Sequence, residues 1–170
     1  SMKIPEGWSV TTGGSGMFHA IRVTDPKNPI NQIFFLLKAQ PLLHSGTARS
    51  YYNQSYQMYG GNYNMMAAAP VLSPASTENF FKIFNSYATF AKTYEPSYSR
   101  FDFPSFGSFK TVESFASSSS MKSQAIGPAL LRARFSDTAG NKGEGLFTAD
   151  VIDFSGNTAS GFGIDAGFYM

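Results

Sequence analysis

The sequence predicts an α+β fold: an antiparallel β-sheet of five to seven strands with an amphipathic helix packed on one face. Three observations carry this prediction. Segments with apolar residues at alternate positions recur along the chain, separated by turn-forming residues. One stretch, Thr77 to Thr93, repeats its apolar residues at helical spacing instead. And 17 Phe with 9 Tyr among 170 residues can fill a core beneath that helix.

The first two strands are Met17 to Thr24 and Gln32 to Gln40, joined by the turn Asp25-Pro26-Lys27-Asn28-Pro29. Setting Val23 opposite Ile33 lines up Met17, His19, Ile21 and Val23 with Ile33, Phe35, Leu37 and Ala39 as one apolar face. The other face is mixed and carries Arg22 and Lys38. Phe34 and Leu36 make the second strand apolar on both sides, which marks it as central. Thr12-Gly13-Gly14-Ser15-Gly16 before the first strand lacks the lysine of a phosphate loop and reads as a flexible turn.

Ser45-Gly46 opens a helix over Thr47 to Tyr59, and Gly60 to Ser76 reads as a long irregular loop. In the Thr77 to Thr93 helix, Phe80, Ile83, Phe84, Tyr87, Ala88 and Ala91 share one face, with Phe81 and Phe90 at its margins. Ser76 is the expected N-cap, Glu78 favours the first turn, and Glu95-Pro96 ends the helix. An aromatic, proline-broken segment, Pro96 to Gly107, precedes a strand from Ser108 to Phe115. Three further strands form a meander: Ala129 to Ser136, Glu144 to Phe154 and Phe162 to Met170. With Arg134 opposite Leu146, the residues Leu131, Ala133, Phe135, Phe147 and Ala149 share one apolar face. Continuing the pattern sets Val151 against Ile164 and Ala149 against Ala166. The whole of 1–170 reads as a single domain, and its close at Phe168-Tyr169-Met170, inside a strand pattern, suggests a piece of a longer protein.

Composition excludes several classes. At 42% apolar and 14% charged, the chain is not disordered. A net charge of +2, with basic residues scattered from Lys3 to Lys142, does not make a nucleic-acid surface. No cysteine is present, so disulfides, thiolate zinc sites and cysteine nucleophiles are out. The apolar run Ile33 to Leu37, which no other run exceeds, is too short to span a bilayer. Low charge with abundant Ser, Asn, Gly and Tyr leans toward an exported or envelope-facing surface.

Two constellations carry chemistry. On the second face of the meander, Arg132, Arg134, Thr148, Asp150 and Asp165 cluster, with Asp150 across from Asp165. Paired carboxylates can raise one pKa or hold a hard cation; the ordinary reading is a solvent-facing ladder in which the arginines neutralise the aspartates, which alternation in sheets produces routinely. Tyr51, Tyr52, Tyr56, Tyr59 and Tyr63 crowd one helical stretch and suit either core packing or a binding surface, since tyrosine offers area and a hydroxyl at low entropic cost. His19 is expected on the apolar face beside Leu37 as a core histidine, and His44 at the surface. Neither has zinc-ligand spacing around it, and no Gly-x-Ser-x-Gly elbow occurs.

Ile4-Pro5-Glu6-Gly7-Trp8, the hairpin containing Gln32-Ile33-Phe34-Phe35 and the later meander together resemble the PsbP-like α/β/α sandwich common among exported bacterial lipoprotein domains. That resemblance implies a largely noncatalytic binding or assembly role and no particular functional residue. The expectation is therefore a noncatalytic exported or cell-envelope binding domain without a cofactor or metal. Its partner would be a protein or a carbohydrate, met at Tyr51, Tyr52, Tyr56, Tyr59 and Tyr63. The alternative is a small metal-assisted hydrolase using Asp150 and Asp165, with Arg132.

Overall fold

Period-two patterning resolves into strands on both sides of the helical segment, and the fold is α+β. The structure, a computed structural model, describes residues 3–37, 42–61, 63–120, 123–153 and 161–169; of 153 and 161–169 it describes the backbone alone. Lys38, Ala39, Gln40, Phe154, the expected loop over 155–160, Met170 and the side chains of Ile164 and Asp165 lie outside the described residues.

One antiparallel meander comprises β1 (Ser9–Ser15), β2 (Phe18–Thr24) and β3 (Gln32–Leu37). After the two-residue β4 (Leu42–Leu43), a second comprises β5 (Ser108–Ala116), β6 (Ala129–Ser136) and β7 (Lys142–Asp153). The backbone of β8 (Gly161–Tyr169) pairs with β3 and with β7, so the strand order reads β1-β2-β3-β8-β7-β6-β5, with β4 also against β8. Among the described residues the α-helices α1 (Gly46–Tyr59), α2 (Tyr63–Ala68), α3 (Thr77–Lys82) and α4 (Phe84–Tyr94) lie between the meanders.

β1 is a strand where the sequence suggests a flexible turn. Only Gly16 and Met17 turn, between paired Ser15 and Phe18. Its glycines serve close packing: a Cβ on Gly13 would lie 2.7 Å from the Phe101 ring, and one on Gly14 (φ 96°) would lie 1.9 Å from the Phe18 carbonyl oxygen.

In the first hairpin Val23 faces Ile33, as the sequence predicts, but the buried face is the other one. Ala20, Phe34 and Leu36 enter the main core with Phe18 packed against it, whereas Met17, His19, Phe35 and Leu37 are exposed. His19 is therefore a surface residue and not a core histidine. The inversion has a physical cause. Arg22 shares the inner face, yet its charge is satisfied there: Nε donates to Gln32 Oε1 (2.8 Å), and Nη1 donates to the Asp102 carbonyl (3.0 Å) and pairs with its carboxylate (2.5 Å). Val23 and Ile33, on the outer face, are nonetheless buried.

The second meander buries Leu131, Ala133, Phe135, Phe147, Ala149 and Val151, the expected face. The β7–β8 register is also as expected, with Ala149 opposite Ala166 and Val151 opposite Ile164. Between β6 and β7 the pairing slips by two residues, placing Arg132, not Arg134, opposite Leu146. A slip of two preserves faces, so only the turn can decide it. Asp137 and Asn141 close that turn early: the Asp137 N–H donates to the Asn141 carbonyl (2.9 Å) and the Asn141 N–H to Asp137 Oδ1 (2.8 Å).

The long helix divides at Ile83 (φ −99°, ψ 6°) into α3 and α4. Ser76 caps α3, its Oγ accepting from the Asn79 N–H at 3.1 Å. Thr77 Oγ1 donates to the Ala149 carbonyl at 3.1 Å, pinning the start of α3 to β7. The division rotates Phe81 from the margin into the centre of the core, where its ring lies 5.1 Å from Phe147 and 5.4 Å from Phe109. The Pro96 to Gly107 segment closes the remaining opening: Tyr98, Phe101, Phe103 and Phe106 are buried in the same cluster. The Asn85 amide holds it in place, donating to the Phe106 carbonyl (2.7 Å) and accepting from the Phe106 N–H (2.9 Å).

Phe81→Ala should cost about 3–5 kcal/mol in denaturant unfolding, because a fully buried ring surrounded by rings leaves a cavity that cannot collapse; a loss below about 1 kcal/mol would contradict the packing described. Tyr98 supplies a pH test. Burial first, and then the Glu95 carboxylate, push its phenol up to about 12. The raised value favours the protonated folded form, so this stability is intact below the unfolded-chain pKa of about 10 and is lost as pH rises through about 12. Tyr98→Phe should therefore lose less stability than wild type over that alkaline interval, as read by urea midpoints; parallel curves would refute it.

Candidate functional site

The tyrosine-rich stretch builds a separate lobe. Ser45 Oγ caps α1 by accepting from the Ala48 N–H (3.1 Å), and Gly60 ends it at φ 59°, its N–H donating to the Tyr56 carbonyl (2.7 Å). One narrow stripe of α1, Ala48, Tyr52 and Ser55, is buried. Ala48 and Tyr52 join Leu43, Ala69 and Phe90 in a small second core, with Met65, Met66 and Tyr94 packed around it. Arg49 Nη2 donates to the Ala69 carbonyl (2.7 Å), and the Tyr94 hydroxyl to Asn64 Oδ1 (3.2 Å), so α1, α2 and α4 are tied together.

A stripe that narrow leaves most of the aromatic side chains outside. Tyr51 is 61% exposed, Tyr56 42%, Tyr59 73% and Tyr63 36%. Tyr52 alone of the five is buried, its ring 5.4 Å from that of Tyr51, and it belongs to the core and not to a contact surface. Tyr59 and Tyr63 sit together, ring centroids 6.2 Å apart at 42°. Met58, 68% exposed, adds to this surface, a residue the tyrosine pattern does not point to. A further signal is legible in the sequence: from Ser50 to Thr77 the chain carries no charged residue.

The second constellation is rearranged. Arg132 pairs with Glu113 (3.2 Å) and Glu144 (2.9 Å), and Arg134 Nε with Glu144 (3.0 Å). The Arg134 hydrogen bond, reinforced by Arg132, holds the Glu144 carboxyl below its ordinary range. The arginines thus form a ladder with glutamates and do not gather at Asp150. The two-residue slip of β6 on β7 is the reason, since it sets Arg134 opposite Glu144.

Asp150 stands beyond the end of β6. There β7 is accompanied by the loop after β5, through the Ala125–Ile152 bridge and an Ile126 N–H donating to the Val151 carbonyl (2.8 Å). Asp150 is buried; Ser119 Oγ donates to its Oδ2, and its Oδ1 has no hydrogen-bond partner among the described residues. Its backbone lies opposite that of Asp165. Among the described residues no three His, Asp or Glu converge in a group able to hold a metal ion, and no helix is long and apolar enough to cross a membrane. Lys110, Arg134, Lys142 and Glu144 line a shallow open cleft at the other end of β5, β6 and β7.

Ser119→Ala should cost about 1–3 kcal/mol in chemical unfolding, because it strips a hydrogen bond from a buried carboxylate. Ser118→Ala, at an exposed neighbour, should be near neutral; equal effects would refute the Asp150 contact. Comparisons of the chain with protein-family models, with curated proteins and with solved structures give no match.

Proposed function

We propose that the chain is a noncatalytic binding or assembly domain of an exported or cell-envelope protein, with Tyr51, Tyr56, Met58, Tyr59 and Tyr63 as its contact surface. One observation carries this: large aromatic and thioether side chains stand exposed together on a lobe whose sequence is uncharged from Ser50 to Thr77. Exposing so much apolar area costs solubility unless a partner covers it. Tyrosine and methionine are also the side chains that bind with little loss of conformational freedom or with easy adaptation of shape. The absence of charge fits a partner, protein or carbohydrate, that is neutral where it docks. In its finer form the proposal takes the two meanders as one sheet of a PsbP-like α/β/α sandwich, supported by the pairing of β8 with both β3 and β7. Arg132, held by Glu113 and Glu144 away from Asp150, weighs against the metal-assisted hydrolase.

The test is capture from a cell-envelope extract of the source organism, with bound material quantified for wild type and for Tyr51→Ser/Tyr59→Ser. Loss of two anchors should weaken retention at least about tenfold. The melting temperature should hardly move, since both rings are exposed. Retention by wild type should also survive added salt, because the Ser50 to Thr77 stretch carries no charge to be screened. Unchanged capture by the double variant would remove this surface from consideration.

A further inference from the structure

The two ends of the strand order are defended differently against pairing with another chain. β5 carries Lys110 and Glu113 and is bulged between Thr111 and Glu113, features that discourage an incoming strand. β1 has none of these. It reads Ser-Val-Thr-Thr-Gly-Gly-Ser, with no charge and no proline, and all seven residues pair with β2 without a shift. Among the described residues, the backbone of Ser9–Ser15 bonds to β2 alone. The Ser9 and Thr11 hydroxyls turn inward to the Thr24 and Arg22 carbonyls (3.3 and 3.4 Å) and do not cover the open side. Alternate residues of an antiparallel strand direct N–H and C=O away from the paired neighbour, so a row of backbone donors and acceptors faces outward from β1. Ser9, Val10, Thr11, Thr12 and Ser15 are exposed, and Gly13 is seated beneath Phe101, which fixes the strand to the core.

We propose that β1 is an assembly edge that pairs antiparallel with β1 of a second copy of this chain, about a two-fold axis at Thr12. The strand is complementary to itself in that register. Ser9 meets Ser15, Val10 meets Gly14, Thr11 meets Gly13, and Thr12 meets its own copy. The axis then holds a cross-strand Thr–Thr pair, one of the favourable combinations. Such a contact is isologous and closes on itself, and a net charge of +2 per chain opposes it little.

Sedimentation or light scattering reads the result. The mass should rise from 18.5 kDa toward twice that as concentration increases, over roughly 10 μM to 1 mM for so small an interface. Thr12→Lys sets like charges against each other on the axis and should stay monomeric throughout, as should Thr12→Glu. An equimolar mixture of the two should restore the dimer, because Lys then meets Glu. Circular dichroism checks that each variant is folded; if Thr12→Lys does not fold, Thr12→Glu alone carries the test, because its two carboxylates meet on the same axis. A monomeric wild type at all concentrations overturns the proposal. So does a folded lysine variant that still dimerises, or a mixture that fails to pair.

Discussion

Phe81 and Phe147 meet with ring centroids 5.1 Å apart at 70°, and around that contact are Phe80, Phe84, Phe106, Phe109 and Phe135. Edge-to-face packing of this kind aligns the positive rim of one ring with the negative face of the next, and each such pair adds to the gain from burial alone. Because rings interlock at defined angles, the cluster constrains orientation as well as proximity. Helix α3 cannot roll on β7 without separating several pairs at once, and the Thr77 hydroxyl on the Ala149 carbonyl fixes its position along the strand. The break at Ile83 is what allows this, since a continuous helix would have carried Phe81 toward its flank.

Much of the fold is legible because alternation speaks clearly where a strand has one wet face. β6 carries such a pattern, with Leu131, Ala133 and Phe135 buried between the less buried Arg132, Arg134 and Ser136, and the β7–β8 backbone pairs in the expected register. The sequence is mute where a strand is apolar on both sides. In β3 Phe34 and Leu36 compete with Ile33, Phe35 and Leu37, so the pattern cannot choose between them. The buried side is the one that carries Arg22, and it tolerates that charge because Asp102, far along the chain, pairs with it. β1 is hidden for another reason: glycines that read as flexible are required by the closeness of Phe101 and of the Phe18 carbonyl.

The candidate surface is only half legible. Five tyrosines announce an aromatic stretch, but exposure depends on how much of α1 the rest of the protein covers. The stripe is narrow because Ala48 and Ser55 flank Tyr52, and small residues seat a helix without drawing its neighbours inward. The arginine ladder shows the reverse situation. Arg132 and Arg134 stand out in the sequence, but their partners depend on a two-residue choice made in the Asp137–Asn141 turn, by side-chain hydrogen bonds that no periodicity records.

Helix α4 belongs to both cores. Phe84, Tyr87, Ala88 and Ala91 face the large aromatic cluster, while Phe90 enters the small one with Tyr52 and Leu43. The tyrosine lobe is therefore a unit with a small core of its own, joined to the large cluster through α4. Units of that kind open at a lower free energy than the whole domain. A ligand that grips α1 and α2 would then act on the local equilibrium alone, tightening the lobe while the sheet beneath stays as it was.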